Sequence, residues 1–480
     1  MSISSSLSNA LTGLSAASRA AGLVSSNVAN ALTEGYARRE LQLGARPGQG
    51  VTIIGVTRMV DQALLSDRRT AEAGASNRDL RAAFLGRLET VLGSPDSAGS
   101  LGARIATFDA ALIAATSRPD SEARLSDVLN SARAITTQFR AAADEIQSAR
   151  LSADHRIAGD VTLVNDSLAR IAEMNGQIRV QMSQGRDTSG LLDQRQQLVD
   201  RIAEVMPLRE IDRGNGQIAL FSTGGAVLLD GKPSKFGFAP VGTLTPQMTN
   251  GSGLSGLTLN GKPLATAGSG SLVAGGSLAA NFAIRDELAP QAQTRLDAVA
   301  RDLVERMADP AVDGTLAAGA AGLFTDAGAP FAAANEVGLA QRLSLNALAD
   351  PEQGGALWRL RDGLGAAAPG PTGDSALLGR MQAALAAPRQ TVSGGFMAAS
   401  RSMSALASDL LSGVASARLA ADAESSFATA RSEALKVMEL ENGVDTDQEM
   451  QKLLQIEQAY AANAKVVQTV DDLLQTLIGL

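Results

Sequence analysis

The sequence predicts a mainly α-helical protein: a long helical hairpin or bundle with paired terminal helices and one small, inserted antiparallel β domain. Hydrophobic residues make up 45% of the 480-residue chain but aromatic residues only 3%, so small aliphatic side chains must build the core. Apolar residues recur every three or four positions over long stretches, which is the helical period. One internal region of turn-forming dipeptides interrupts this pattern and indicates the β domain.

The composition excludes several classes of protein. There is no cysteine and one histidine, His155, so disulfides, thiol chemistry and metal sites built from Cys or His are excluded. The net charge of −8 argues against nucleic acid and anionic membranes, because both bind basic surfaces. We find no apolar run of membrane-spanning length and no signal-peptide pattern. We therefore expect no cofactor, no metal, no membrane partner and no cleaved signal peptide.

The first 33 residues predict a helix with an unbroken heptad seam and almost no charge. Arg19 is the only charged residue, and the positions outside the seam are mostly Ser, Asn and Thr, so an isolated helix would be marginal in water. The seam residues are spaced alternately four and three apart: Ile3, Leu7, Ala10, Leu14, Ala17, Ala21, Val24, Val28 and Ala31.

The C-terminal segment carries a similar seam, with a mean step close to the coiled-coil period. Its members are Leu453, Ile456, Tyr460, Ala464, Val467, Val470, Leu474 and Leu477. Two interpretations are open: ordinary amphipathic helices on one globular body, or a terminal coiled coil whose outer faces meet other subunits. The second is favoured, because a solvated helix normally carries Lys and Glu on its outer face, whereas the N-terminal segment carries almost no charge there.

Helical periodicity continues inward from both ends. The predicted helices lie at about 58–92, 101–117, 121–182, 189–205, 279–307 and 392–439. The longest run contains three consecutive steps of four between Ala149 and Val161, which resemble a coiled-coil stutter, and it is either one continuous helix or two. Residues 309–388 are rich in Gly, Ala and Pro and predict loops, with a short strand near 341–346.

The inserted β region begins after Met206-Pro207. Asn-Gly, Asp-Gly and Gly-Gly pairs between 214 and 276 separate β-prone runs at 217–222, 226–229 and 257–259. Along the chain, helices come first, a β region follows, and helices come again. This order predicts a hairpin with both termini at one end and the β domain at the other. The predicted division is 1–45 with 440–480 as the terminal coiled coil, 46–210 with 390–439 as the helical bundle, 211–285 as the β domain, and 286–389 as a helix plus loops.

Three motifs could carry chemistry, and each is better explained as structure. Residues 251–256 match G-x-G-x-x-G, but a strand rather than a helix follows, so no nucleotide site is expected. Asp445, Asp447 and Glu449 lack the spacing of a calcium loop and suit a helix start. A hydrolase hidden at 214–330, with Asp286 and Glu287 as its carboxylates, remains the alternative of another class.

Both ends resemble the bacterial flagellar rod, hook and hook-associated proteins. Residues 26–36, SNVANALTEGY, resemble the N-terminal signature N-x-A-N-x-x-T-x-G-Y, with Glu34 where Pro is usual. Residues 458–471, QAYAANAKVVQTVD, resemble the C-terminal signature. Internally, LLDQRQQLV at 191–199 and LSLN at 343–346 resemble the hook-associated members, whereas rod and hook proteins lack the long helical stretch. A rod or hook subunit remains the alternative within the family.

This resemblance implies a structural protein of motility rather than an enzyme. It implies a junction between hook and filament, export by the flagellar type III apparatus, and a ring of identical subunits on the extracellular flagellum. The implied partners are other copies, the hook protein, a second hook-associated protein on the filament side, and an export chaperone on the C-terminal arm. The expected assembly interface comprises Ile3, Leu7, Leu14, Val24, Asn27, Val28, Asn30, Thr33, Gly35, Tyr36, Leu453, Ile456, Tyr460, Asn463, Val467, Val470, Leu474 and Leu477.

Overall fold

The computed structural model describes residues 3–33, 35–46, 50–268 and 270–478, so Glu34 of the N-terminal signature lies outside the described residues. The helices of the described ranges are α1 Ile3–Ala29, α2 Gln62–Leu92, α3 Leu101–Ser117, α4 Glu122–Ser183, α5 Ser189–Val205, α6 Ser277–Ala283, α7 Ala289–Met307, α8 Leu339–Arg342, α9 Arg359–Asp362, α10 Ala376–Ala386, α11 Met403–Glu441 and α12 Thr446–Ile478. One π-helical turn, Ile284–Leu288, joins α6 to α7.

The strands are short, and all their pairings among the described residues are antiparallel except one. They are β1 Arg39–Arg46, β2 Gly50–Arg58, β3 Leu208–Gly214, β4 Gln217–Ser222, β5 Val227–Asp230, β6 Lys232–Pro233, β7 Phe236–Gly237, β8 Thr249–Asn250, β9 Gly253–Leu254, β10 Leu257–Leu259, β11 Lys262–Leu264, β12 Phe324–Asp326, β13 Leu343–Leu345, β14 Arg389–Gln390 and β15 Ser400–Arg401. The largest sheet has the order β3-β4-β5-β6, a second has β11-β10-β7, and β8 pairs with β9 in parallel. The mainly α fold class with small β additions is confirmed.

Helix α4 is the spine of the body. It is continuous over 62 residues, which is about 93 Å at 1.5 Å per residue. Its first half, to Ala153, packs with α2, α3, α7, α10 and the start of α11 in one apolar core. Its second half, from Ile157, packs with α5, α6 and the strands β3, β4, β5, β7 and β10 in another. One helix therefore connects two cores that are built mainly from aliphatic side chains.

A buried ionic cluster fills the boundary between the two cores. Arg285 is fully buried and donates to Asp154 Oδ1 at 2.6 Å, while Asp154 Oδ2 accepts the Val241 amide at 2.8 Å. Arg150 donates to the Arg285 carbonyl at 3.0 Å and to the Met248 carbonyl at 2.6 Å. The cluster lies at the predicted stutter, where the apolar stripe of α4 passes from one core to the other.

The position of the β domain differs from the expected one. Helix α4 runs from the far end of the body back toward the termini, so the strands that follow α5 pack beside its second half. Asn165 binds the Phe236 backbone and Asn175 the Ile218 backbone. The far end is instead formed by α3 and the loops after α7, where Arg361 donates to the Pro119 carbonyl and Arg133 pairs with Asp350. The prediction of a β domain opposite the termini is therefore wrong.

Two further differences concern segments near the helical bundle. A β-hairpin, β1–β2, precedes α2, which begins at Gln62 rather than at 58, because Asp61 caps it and accepts the Ala63 and Leu64 amides. Helix α11 begins at Met403 rather than near 392, because Gly394 and Gly395 adopt positive φ angles upstream. The long helix, for which one or two helices were open, is the single helix α4, and the end of α5 at Val205 and the strand at Leu343–Leu345 are as predicted.

Removing the central carboxylate of the buried cluster should destabilise the body strongly. We expect Asp154→Ala to lower the free energy of unfolding by about 3 kcal/mol, because the buried Arg285 would keep only Asp286 as a carboxylate partner and the Val241 amide would lose its acceptor. Denaturant unfolding followed by circular dichroism measures this, and Arg156→Ala, at an exposed neighbouring position, is the matched control. A loss below about 1 kcal/mol would contradict the assignment of the cluster as the joint between the cores.

Candidate assembly interface

The two ends of the chain form one antiparallel arm, defined here as α1, the β1–β2 hairpin and α12. Leu7 of α1 lines an apolar groove with Val467, Val470 and Leu474 of α12. At mid-helix Gly13 abuts Asn463. Near the base Asn27 donates to Glu449 Oε2 at 3.0 Å. The remainder of the chain is called the body.

The predicted seam of α1 faces inward. Val24 is buried, and Ile3, Leu7, Leu14 and Val28 are half-buried. On α12, Val470 is buried, and Leu453, Ile456, Asn463 and Val467 are half-buried.

The outer members of the α12 seam remain exposed. Leu474 and Leu477 are 37% and 59% exposed, because the antiparallel alignment carries this end of α12 to the first residues of α1. Tyr460 is 47% exposed and lies at the level of small alanines of α1. Within one chain, these three predicted interface residues are only partly covered.

Asn27 is a fully satisfied hub at the base of the arm. Its amide nitrogen donates to the Arg39 carbonyl and to Glu449, both at 3.0 Å. Its amide oxygen accepts the Tyr36 hydroxyl at 2.8 Å and the Arg39 amide at 3.0 Å. Because both donors and both acceptors are used, this buried amide joins α1, the signature loop, β1 and α12 at one point.

Glu449 is the buried charge of the arm. It is fully buried and accepts Arg38 Nε at 2.7 Å in addition to Asn27. Asp445 caps α12 as predicted, accepting the Asp447 and Gln448 amides at 2.9 and 3.1 Å. The acidic group at 445–449 therefore starts a helix and pairs with an arginine. Within the described ranges, no three or more His, Cys, Asp or Glu side chains form a group that could hold a metal ion.

The hairpin lies along α1 and matches it in length. Eight residues of β1 span about 27 Å, and the 18 steps from Asn9 to Asn27 on α1 also span about 27 Å. At the base, Arg39, the first residue of β1, is hydrogen-bonded through its backbone to the Asn27 side chain. At the tip, the Val51 amide donates to Thr12 Oγ1 at 3.3 Å, and Gly50, at φ +81°, lies against Asn9. A side chain at position 50 would clash with α1, so the close approach requires glycine there.

A clamp built on Asp193 attaches the arm to the body. Arg39 and Arg58, from the two hairpin strands, each donate to this carboxylate at 2.6 Å, and the Ala37 amide donates at 3.4 Å. Asp193 belongs to the LLDQRQQLV motif on α5, and Gln196 of the same motif accepts a hydrogen bond from Arg58. The motif therefore serves as the receptor for the hairpin.

The other signature residues shape the loop between α1 and β1. Asn30 donates to the Ser26 carbonyl at 2.8 Å and accepts Thr33 Oγ1 at 3.3 Å. Gly35 has φ +78° and lies against Gln197, and the Arg39 guanidinium stacks on the Tyr36 ring at 4.8 Å. In the isolated chain, the contacts of these signature residues therefore stabilise the loop between α1 and β1.

Polar contacts rather than an apolar core join arm and body. Neither core contains a described residue of the arm. Clefts of about 520 and 470 Å³ flank the junction, the first lined by Tyr36 and Glu439 and the second by Arg58 and Arg195. Burial lowers the pKa of the Arg195 guanidinium, and burial raises the pKa of Glu439 against the opposing charge of Arg68.

The outer surface of the arm exposes several large apolar side chains among polar ones. Leu32, in the signature loop, is 96% exposed, and its neighbours Asn30 and Thr33 are held by hydrogen bonds. The other large apolar side chains with substantial exposure are Leu11, Leu43, Ile54, Leu454, Val466, Leu473 and Ile478. No helix of the described chain is long and apolar enough to span a membrane.

Sequence reasoning missed the residues that hold the arm in place. Asp193 stood within a quoted motif but had no assigned role, and Arg58 and Arg38 were not singled out. Glu449 was interpreted only as part of a helix start. The available signal was its position, since it is an acidic residue on the inward face of the C-terminal helix.

Removing the clamp should loosen the hairpin without unfolding the body. In Asp193→Ala, Arg39 and Arg58 lose a buried partner, and we expect amides of residues 39–58 to exchange with solvent about tenfold faster or more. Hydrogen–deuterium exchange measures this, with the exposed Gln194→Ala as control. Unchanged protection of the hairpin would contradict the clamp.

The sequence matches two family models. The model described as the flagellar hook-associated protein FlgK helical domain covers residues 85–324. The model described as the flagellar basal body rod FlgEFG protein C-terminal covers residues 441–480, which include α12.

Similar proteins carry a consistent name. Flagellar hook-associated protein 1 of Salmonella typhimurium is 25% identical over 244 residues, which is 48% of this chain and 44% of that protein. The protein of the same name from Bacillus subtilis is 26% identical over 240 residues, 47% of each. The matches thus span less than half the length of these relatives.

A solved structure of the flagellar hook junction protein FlgK from Burkholderia pseudomallei is also similar. It has a TM-score of 0.45 and 20% identity, over 54% of this chain and 46% of that one. The family assignment rests on the helical-domain model, which covers half of the chain. This chain belongs to the FlgK family of flagellar hook-associated proteins.

Proposed function

We propose that this protein is a non-enzymatic structural subunit of the flagellum that joins hook to filament, and that its arms assemble identical copies into a ring. The observation that carries the proposal is the outer surface of the arm. A helix exposed to water normally presents charged residues there, whereas α1 carries only Arg19. Apolar surface left uncovered in one chain is covered when neighbouring subunits pack against it.

The proposed partners follow from this arrangement and from the relatives. Other copies pack laterally, the hook protein lies on one side, and a second hook-associated protein lies on the filament side. We also propose export through the flagellar type III apparatus to an extracellular position, with a chaperone on the C-terminal arm before assembly. The relatives named flagellar hook-associated protein 1 support an association with the hook.

Two alternatives are less well supported. A rod or hook subunit would not require the helical body, and residues 85–324 match the helical domain of a hook-associated protein. A hydrolase at 214–330 would require an available carboxylate pair. Asp286 is instead held in a two-pronged ion pair with Arg285, at 2.8 and 2.9 Å, and Glu287 is exposed.

A charge on the outer surface of the arm should block assembly and leave the isolated protein folded. Leu473 is 49% exposed, so Leu473→Asp should change the melting temperature of the free protein little. In the assembled ring the same carboxylate would be buried without a partner, which costs more than the roughly 2–7 kcal/mol of an unpaired neutral polar group. Motility and electron microscopy of cells carrying the variant measure assembly.

Gln455→Asp, at an exposed polar position of the same helix, is the control and should assemble normally. Val470→Asp adds a contrast, because Val470 is 6% exposed in the seam and its replacement should unfold the arm of the free protein as well. Normal filaments from Leu473→Asp would exclude the outer surface of α12 as an assembly surface.

A further inference from the structure

The apolar seam of the arm does not by itself fix how α1 and α12 align. On α1 the apolar residues repeat without interruption every seven residues, and many of them are alanine: Ala10, Ala17, Ala21 and Ala31. Sliding one helix by one heptad along the other replaces each apolar contact with a similar one. Repetitive seams of this kind depend on buried polar residues to specify alignment.

Two polar contacts in the arm are sensitive to such a shift. Glu449 is fully buried between Asn27 and Arg38, and it is aligned with them only in the observed pairing. Asn463 occupies the space beside Gly13, where an added Cβ would lie 2.9 Å from its Cγ. A one-heptad shift would bring Ser6 or Ala20 to that place, and both carry a Cβ.

Of the two contacts, the one at Glu449 carries the larger free-energy difference. A shift in either direction would separate its carboxylate from both donors. One shift would leave it against Ala20, and the other would carry it past the end of α1 at Ala29. An unpaired buried charge is strongly destabilising, whereas the amide of Asn463 can rotate away from a Cβ. The exposed pair Lys452–Glu40, at 3.2 Å, contributes little by comparison.

We propose that Glu449, paired with Asn27 and Arg38, determines the alignment of the arm by excluding pairings shifted by one heptad. The residue is then a specificity determinant and not only a stabilising contact. It fixes which surface residues stand side by side on the outer face of the arm, and so which surface neighbouring subunits meet.

Engineered disulfides can report the alignment directly, because the chain contains no cysteine. Gly13→Cys with Asn463→Cys reports the observed alignment, since a Cβ at 13 lies 2.9 Å from the Asn463 Cγ, close to the geometry of a disulfide. Gly13→Cys with Ile456→Cys, and Gly13→Cys with Val470→Cys, report the two pairings shifted by seven residues. Each pair is made in the full-length protein.

With Glu449 intact, only the observed pair should crosslink under mild oxidation. In Glu449→Ala, we expect the ratio of shifted to observed crosslinks to rise by about tenfold or more, because one buried ion pair is removed. Glu449→Gln, which keeps an acceptor for Asn27 but loses the charge, should give an intermediate ratio. Glu457→Ala, at an exposed position of α12, should leave the ratio unchanged.

Two results would overturn the proposal. In the first, Glu449→Ala retains only the observed crosslink, so the seam itself sets the alignment. In the second, all three crosslinks fall together, so that Glu449 only stabilises the arm and does not choose among pairings. A parallel measurement of α-helix content separates the second result from a general failure to fold.

Discussion

The arm depends on one buried polar contact, that between Glu449 and the pair Asn27 and Arg38. The aliphatic side chains of α1 are small, and many of its other positions are serine, so burial of apolar surface between α1 and α12 is modest. A buried carboxylate with two donors makes the base of the arm far less tolerant of displacement than its seam. Asn27 extends this constraint to the hairpin, because it also binds both backbone polar groups of Arg39.

The body supplies the second constraint by placing Asp193 beneath the hairpin. Because α4 runs back toward the termini, α5 begins at the base of the arm, and its inward face presents the clamp. Each hairpin strand contributes one arginine to that carboxylate. The arm is therefore held at a defined position by charged contacts while its outer surface remains exposed.

Helical periodicity predicted the long helices well, because their apolar stripes are regular and few glycines interrupt them. The terminal pairing was predicted from the same signal. The β1–β2 hairpin was not, because its strands lack an Asn-Gly turn and are stabilised by α1 and Asp193, which lie far away in sequence. Glu449 could not be assigned a buried role, since an acidic residue in the first turn of a helix is ordinarily solvated.

The site of the β domain was predicted wrongly for a related reason. Sequence order indicates that the β region lies between two helical stretches, but the direction of α4 decides at which end it packs. Asn165 and Asn175, which bind β7 and β4, are polar residues in a long helix and gave no warning of their partners. Side chain to backbone contacts across such sequence distances depend on the tertiary structure.

The central claim is that the large apolar side chains on the outer surface of the arm are exposed in one molecule and covered by neighbours in the flagellum. The rate at which a maleimide alkylates the single thiol of a Leu473→Cys variant tests it directly, because no other cysteine is present. We predict rapid alkylation in the isolated protein and strong protection in intact flagella. Equal rates in both states would show that this surface stays in water, and the arm would then not be an assembly element.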